Sequence, residues 1–162
     1  MLGKWFPLAE SGDGFLRSAP FRYVHSVDTT APPERIWESI TGDALVRWTL
    51  AFTSLRWDSS PPFGVGTVRE ITLLGVFTVR ERFFRWDDGR RYTFSVVEAS
   101  RPGLRRAAED WIVEPVPTGS RLTWTLAVEP AGWARPLQWA GSPVINLLKR
   151  HVMRAVRVHT GS

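Results

Sequence analysis

Between residues 52 and 129 apolar and polar side chains alternate with a period of two, broken by Gly, Pro and Asp-Gly punctuation. That pattern belongs to successive half-buried strands, and six are predicted there. Residues 21–28 read as one further strand. After Thr30 the period lengthens: Pro32 and Pro33 suit a first helical turn, Ile36, Trp37 and Ile40 recur at helical spacing, and Gly42 stops the helix. Asp43 is placed to cap a second short helix ending at Leu50. Helical spacing returns over 136–159, where Leu137, Ala140, Val144, Leu148, His151, Val152 and Ala155 share a face and Arg150, Arg154 and Arg157 lie mostly off it. The economical architecture is α+β: a seven-stranded antiparallel sheet against a long C-terminal helix, with two short helices between the first and second strands. Residues 1–20 lack periodicity and carry Gly3, Pro7, Gly12, Gly14 and Pro20, so a loosely packed arm is expected ahead of one domain over 21–160.

Opposed residues in an antiparallel hairpin share a sheet face, so polarity tests each register. A three-residue loop at Leu74-Gly75-Val76 pairs Leu73 with Phe77, Ile71 with Val79, Arg69 with Glu81 and Glu70 with Arg80. A two-residue loop at Leu74-Gly75 would set Arg69 against Arg80, so the three-residue register is preferred. A two-residue Asp88-Gly89 turn pairs Phe83 with Phe94, Glu81 with Val96 and Arg85 with Tyr92. A turn at Thr118-Gly119 pairs Val113 with Trp124, Trp111 with Leu126 and Glu109 with Val128. One face then gathers the aromatic and aliphatic side chains together with Arg69, Glu81, Glu98 and Glu109, while Phe84 and Trp86 fall on the other. The outer pair is unexplained unless a partner or the N-terminal arm covers it.

Charges on an aromatic face are the informative feature, because an unpaired buried charge costs several kcal/mol. Two readings fit. In one, Arg69 and Glu81 form a cross-strand ion pair, and Glu98 and Glu109 sit at wet strand ends. In the other, the helix leaves a gap over the sheet, and the gap is an apolar pocket with a few polar groups, as small-molecule sites are.

Composition narrows the chemistry. The chain has 162 residues, no Cys and a net charge of +5, so disulfides and thiolate metal sites are excluded. The three His residues have no metal-ligand spacing, and neither a metal nor another cofactor is expected. His25 shares parity with Tyr23 and Val27 and reads as a wall residue or a group at a pocket mouth. Gly64-Val65-Gly66 precedes a strand and reads as a turn. No apolar run is long enough to cross a bilayer, and a soluble cytoplasmic protein is expected. The cations Arg101, Arg105, Arg106, Lys149, Arg150, Arg154 and Arg157 read as solvated charges; no nucleic-acid partner is expected, and a peripheral contact with anionic lipid stays open. Nothing in the sequence sets the oligomeric state.

Three stretches and the last helix carry a family resemblance: Ala31-Pro32-Pro33-Glu34-Arg35-Ile36-Trp37, then Phe63-Gly64-Val65-Gly66-Thr67-Val68-Arg69-Glu70 with Glu81 in the next strand, and Gly119-Ser120-Arg121-Leu122-Thr123-Trp124-Thr125. In these the chain resembles the SRPBCC superfamily, the START-like helix-grip proteins, nearest the polyketide cyclase/dehydrase branch. The resemblance implies a sheet gripping the C-terminal helix around a cavity for an apolar ligand such as a lipid, polyketide or quinone. It supplies no shared catalytic motif, so enzymatic activity is left open. The expected ligand-binding residues are Arg69, Ile71, Val79, Glu81, Phe83, Tyr92, Phe94, Trp111 and Trp124 on the sheet, with Leu148 and His151 on the helix. The alternative is a cyclase or dehydratase using the same cavity, with Glu109 as acid or base and Tyr92 or Arg69 stabilising an enolate oxygen.

Overall fold

The computed structural model describes residues 3–161. Its strands are β1 (Phe6–Pro7), β2 (Phe21–Thr29), β3 (Phe52–Trp57), β4 (Val68–Leu73), β5 (Phe77–Asp87), β6 (Arg91–Ala99), β7 (Leu104–Val116) and β8 (Gly119–Pro130). The helices are α1 (Asp13–Ser18), α2 (Pro33–Thr41), α3 (Ala44–Trp48) and α4 (Arg135–Thr160), the last preceded by a short 3-10 turn at Gly132–Ala134. Seven strands form an antiparallel sheet, as the alternation predicts, and the structure gives their order as β2-β8-β7-β6-β5-β4-β3. The main core lies between this sheet and α2, α3 and α4, with Phe83, Tyr92, Phe94, Trp111, Leu122 and Val152 fully buried.

The arm is not a loose lead-in. After Ser95↔Ala108 strands β6 and β7 part, and β1 takes the vacated edge of β6 through Phe6↔Ala99 and Pro7↔Glu98. Leu8 N–H then donates to Val97 O at 2.9 Å and Ala9 N–H to Arg105 O at 3.0 Å, so the arm bridges both strands. Helix α1 buries Phe15 and Leu16 against Ala108 and Ala127 on the outer face of the sheet, where they also cover Phe84.

The β4–β5 register is as predicted, including Arg69↔Glu81 and Glu70↔Arg80. Two β-bulges upset the parity of β5–β6. Between Val79↔Ala99 and Glu81↔Val96 an extra residue on β6 turns Glu98 outward, opposite Arg80, so Glu98 does not belong to the inner face. Between Phe83↔Phe94 and Arg85↔Thr93 the extra residue is Phe84, which brings Trp86 inward opposite Tyr92. Trp86 therefore packs in the core, 5.4 Å from the Trp37 ring and 5.7 Å from the Tyr92 ring. The same bulge lengthens the Asp88-Gly89 turn by one residue, with Arg90 N–H donating to Asp87 O at 2.9 Å. In β7–β8 the turn is at Pro117-Thr118 and the pairs are Trp111↔Trp124 and Glu109↔Leu126. This slips the predicted register by two, which preserves every face.

Helix α4 is rotated from its predicted orientation. Its buried side chains are Lys149, Val152, Met153, Ala155, Val156 and Thr160, while His151, Leu137 and Val144 are exposed. Its C-terminal end is fixed where Thr29 Oγ1 hydrogen-bonds Thr160 Oγ1 at 3.0 Å and donates to Gly161 O at 2.9 Å. Its N-terminal half is tied to β2 by Tyr23, whose hydroxyl bonds Ser142 Oγ at 2.6 Å and accepts from Gln138 Nε2 at 3.0 Å. No helix among the described residues is long and apolar enough to cross a membrane.

Candidate functional site

A hollow of about 620 Å³ lies between the inner face of the sheet and the N-terminal half of α4. The sheet contributes Ile71, Val79, Val96, Ala107, Trp124 and Leu126, and the helix contributes Gly141, Ile145, Leu148 and Val152. Trp133, Leu137, Val144 and Leu74 also border it and are solvent-exposed, so they mark its mouth. Three ionisable side chains, Glu81, Glu109 and Lys149, and the amide of Gln138 interrupt this largely apolar wall.

Of the residues expected from the sequence, Ile71, Val79, Glu81, Trp124 and Leu148 line the hollow, as does the acid/base candidate Glu109. Arg69, Tyr92, Phe94 and Trp111 instead surround a crevice of about 10 Å³, room for about one water. Phe83 lines neither and is buried among Trp57, Trp86, Tyr92 and Phe94, and His151 is outside, accepting from Leu50 N–H through Nε2 at 3.2 Å. The sequence placed His151 inward because it assigned α4 the wrong rotation. His25 is half-buried opposite Trp124 but does not line the hollow; burial lowers its pKa, with Lys149 and Arg150 adding to the effect.

Arg69 is buried and paired with Glu81. Its Nη2 and Nε lie 2.7 and 2.8 Å from Glu81 Oε2, and its guanidinium is 5.1 Å from the Trp57 and Phe83 ring centroids, 5.3 Å from Tyr92 and 5.4 Å from Phe94. The charge is thus satisfied by one carboxylate and four aromatic rings. Burial pushes the Glu81 carboxyl up, against the pull of Arg69, and Glu109 adds to the rise. The Tyr92 hydroxyl donates to Ile40 O at 3.2 Å, and burial raises its pKa. Arg69 and Tyr92 border the crevice and not the hollow, with their polar groups turned to Glu81 and to Ile40 O.

Lys149, read from the sequence as a solvated cation, instead lines the hollow. It is 2% exposed, and Nζ donates to Tyr23 O at 2.6 Å and to Trp124 O at 3.1 Å while lying 4.4 Å from the Trp124 ring centroid. On the same indole, Trp124 Nε1–H donates to Glu109 Oε1, which also accepts from Trp111 Nε1–H at 3.3 Å. Trp111 and Trp124 stack at 4.3 Å, so the two N–H groups converge on one carboxylate oxygen. Burial pushes the Glu109 carboxyl up, opposed first by Lys149, and pushes the Lys149 amine down to about 7, opposed by Glu109. The wall therefore presents an acid and an amine flanking one tryptophan.

The lysine gives a pH-dependent expectation. Between about 7 and 10.5 the unfolded chain holds a proton that folded Lys149 releases, so this group makes stability rise with pH across that window. Below about 7 its burial penalty is fully present. The difference in Tm between Lys149→Met and the wild type, followed by calorimetry, is expected to favour the variant most near pH 7 and to decline towards pH 10.5. A difference independent of pH would contradict this.

Comparison with known proteins places this geometry among relatives. Residues 20–157 match the family described as polyketide cyclase/dehydrase and lipid transport. Uncharacterized proteins of Mycobacterium bovis and Mycobacterium tuberculosis are each 35% identical over 156 residues, covering 96% of this chain and 93% of theirs. Among solved structures, ginseng major latex-like protein 151 from Panax ginseng superposes with a TM-score of 0.70 at 14% identity, over 90% of this chain and 100% of that one. Ara h 8.0201 superposes with a TM-score of 0.67 at 15% identity, over 86% and 97%. At such identities the likeness concerns the fold.

Proposed function

The chain belongs to the polyketide cyclase/dehydrase and lipid transport family, and on that premise we propose that it binds a small, largely apolar molecule in the hollow beneath α4. The observation that carries this reading is the size and lining of the hollow: about 620 Å³, aliphatic and aromatic on nearly every side, with polar side chains only from Glu81, Glu109, Lys149 and Gln138 among the described residues. That volume and composition suit one ligand with an apolar body and a single polar end. Lipids, polyketides and quinones share this description. Cyclase or dehydratase chemistry is the second reading, favoured by the acid and amine on either side of Trp124; there Glu109 moves the proton and Lys149, in place of Tyr92 or Arg69, donates to the developing oxyanion.

Gly141 offers a test that separates binding from folding. It lies inside α4, borders the hollow, and a Cβ built on it meets nothing within 4 Å. Gly141→Phe removes a helix-weakening glycine, a gain of about 0.5 kcal/mol, and sends a ring into the binding space. The variant is expected to melt no lower than the wild type and to bind the uncharged apolar probe N-phenyl-1-naphthylamine at least tenfold more weakly. An unaltered probe affinity would count against the hollow as the binding site.

A further inference from the structure

We propose that Lys149 is a covalent capture residue, forming a reversible imine with aldehydes or ketones that enter the hollow, and that Glu109 moves the protons for this step. The inference rests on the binding reading above and adds to it the functional group of the ligand.

The first argument is compositional. The chain carries 19 Arg and only two Lys, Lys4 and Lys149, so nearly every cationic position is filled by arginine. Lys4 is exposed, whereas Lys149 is 2% exposed on the wall of the hollow. A guanidinium stays protonated at any ordinary pH and is no nucleophile; a desolvated lysine amine can lose its proton and attack a carbonyl.

Geometry supplies the second argument. An amine nitrogen has three positions beyond its carbon, and two here are directed at Tyr23 O and Trp124 O, 2.6 and 3.1 Å away. The third has no hydrogen-bond partner among the described residues, and the side chain borders the hollow. The two carbonyls thus hold the amine in one orientation, so that its third position carries an N–H when charged and the lone pair when neutral. Glu109 engages the indoles through Oε1, and Oε2 has no hydrogen-bond partner among the described residues on the same wall. Apolar surroundings favour the neutral amine, and the downward shift of Lys149 to about 7 agrees with the geometry.

The reaction balances without an oxidant or a further reagent. Lys149 and Glu109 are not in direct hydrogen-bond contact, so a water molecule in the hollow carries a proton from the ammonium to Glu109. The Lys149 lone pair forms a C–N bond to the carbonyl carbon while the C=O π pair moves to oxygen, which acquires a proton from nitrogen. Glu109 then returns its proton to the carbinol oxygen, the C–O bond breaks, and water leaves as the nitrogen lone pair closes the C=N bond. The products are one protonated imine and one water. The remaining N–H stays available to one of the two backbone carbonyls.

The test uses the full wild-type chain with heptanal and sodium cyanoborohydride, which fixes any imine as a stable secondary amine, followed by peptide-resolved mass spectrometry. Alkylation of Lys149 is expected at least tenfold faster than that of Lys4, and excess 1-heptanol, which has the apolar chain but no carbonyl, is expected to suppress it. Glyoxylate, charged and compact, is expected to lose the preference for Lys149. Glu109→Gln is expected to slow the Lys149 reaction at least fivefold and leave Lys4 unaffected. Equal rates at the two lysines would overturn the proposal. If 1-heptanol displaces the apolar probe while heptanal leaves Lys149 unmodified, capture fails and the binding reading stands; if 1-heptanol displaces nothing, the binding reading fails first.

Discussion

Arg69→Met is expected to cost about 3–5 kcal/mol of stability in urea unfolding, because it leaves the Glu81 carboxylate buried without its partner. Both residues are 2% exposed, and Arg69 gives Glu81 its nearest opposite charge. The sign of the effect lies in the broken pair and not in the presence of charge. Removing both ions at once, as Arg69→Met with Glu81→Leu, is therefore expected to recover most of the loss, to within about 1–2 kcal/mol of the wild type. A single variant as stable as the wild type would show that Glu81 does not depend on Arg69 to offset its burial.

The second large effect is expected at Gly119, which starts β8 with φ of +146°. A Cβ there would sit 2.2 Å from Thr29 O and 2.7 Å from Thr30 C, both backbone atoms that cannot step aside. Thr29 also anchors the end of α4 through Thr160 and Gly161. Gly119→Ala therefore forces β2 and the helix terminus apart, at a cost of about 3 kcal/mol or more. Gly75 is the control: its φ is +71°, yet a Cβ there meets nothing within 4 Å, so Gly75→Ala is expected to cost only about 1 kcal/mol. Equal melting temperatures for the two variants would show that the β2–β8 contact yields more easily than the distances imply.

These residues illustrate what a single sequence carries and what it does not. The β4–β5 register was legible because the alternative opposes Arg69 and Arg80, and charge repulsion selects between them. The β7–β8 register was legible only modulo two. Side-chain direction repeats every second residue, so a slip of two leaves the inner face unchanged while moving Trp111 opposite Trp124 and making the shared carboxylate contact. The bulges at Phe84 and beside Glu98 left no mark in the alternation, since each is decided by how the strand curves around the core, and they reversed the faces of Trp86 and Glu98. Lys149 was missed for a different reason. A lysine on an amphipathic helix ordinarily belongs to its wet side, and only the rotation of α4, fixed by Tyr23 at one end and Thr29 at the other, carries it inside. Its rarity in an arginine-rich chain was the available signal. Candidate residues on the sheet were thus found by parity, though parity does not separate those lining the hollow from those packed around Arg69.

If the space beneath α4 receives an apolar guest, methyl-resolved NMR during titration with 1-decanol will register its entry. Saturable shifts of methyl groups that line the hollow, those of Ile71, Val79, Val96, Leu126, Ile145, Leu148 and Val152 among them, are expected, with exposed Leu50 and Val65 unmoved. Interior methyl signals that stay fixed up to the solubility limit of the alcohol would contradict entry of a guest.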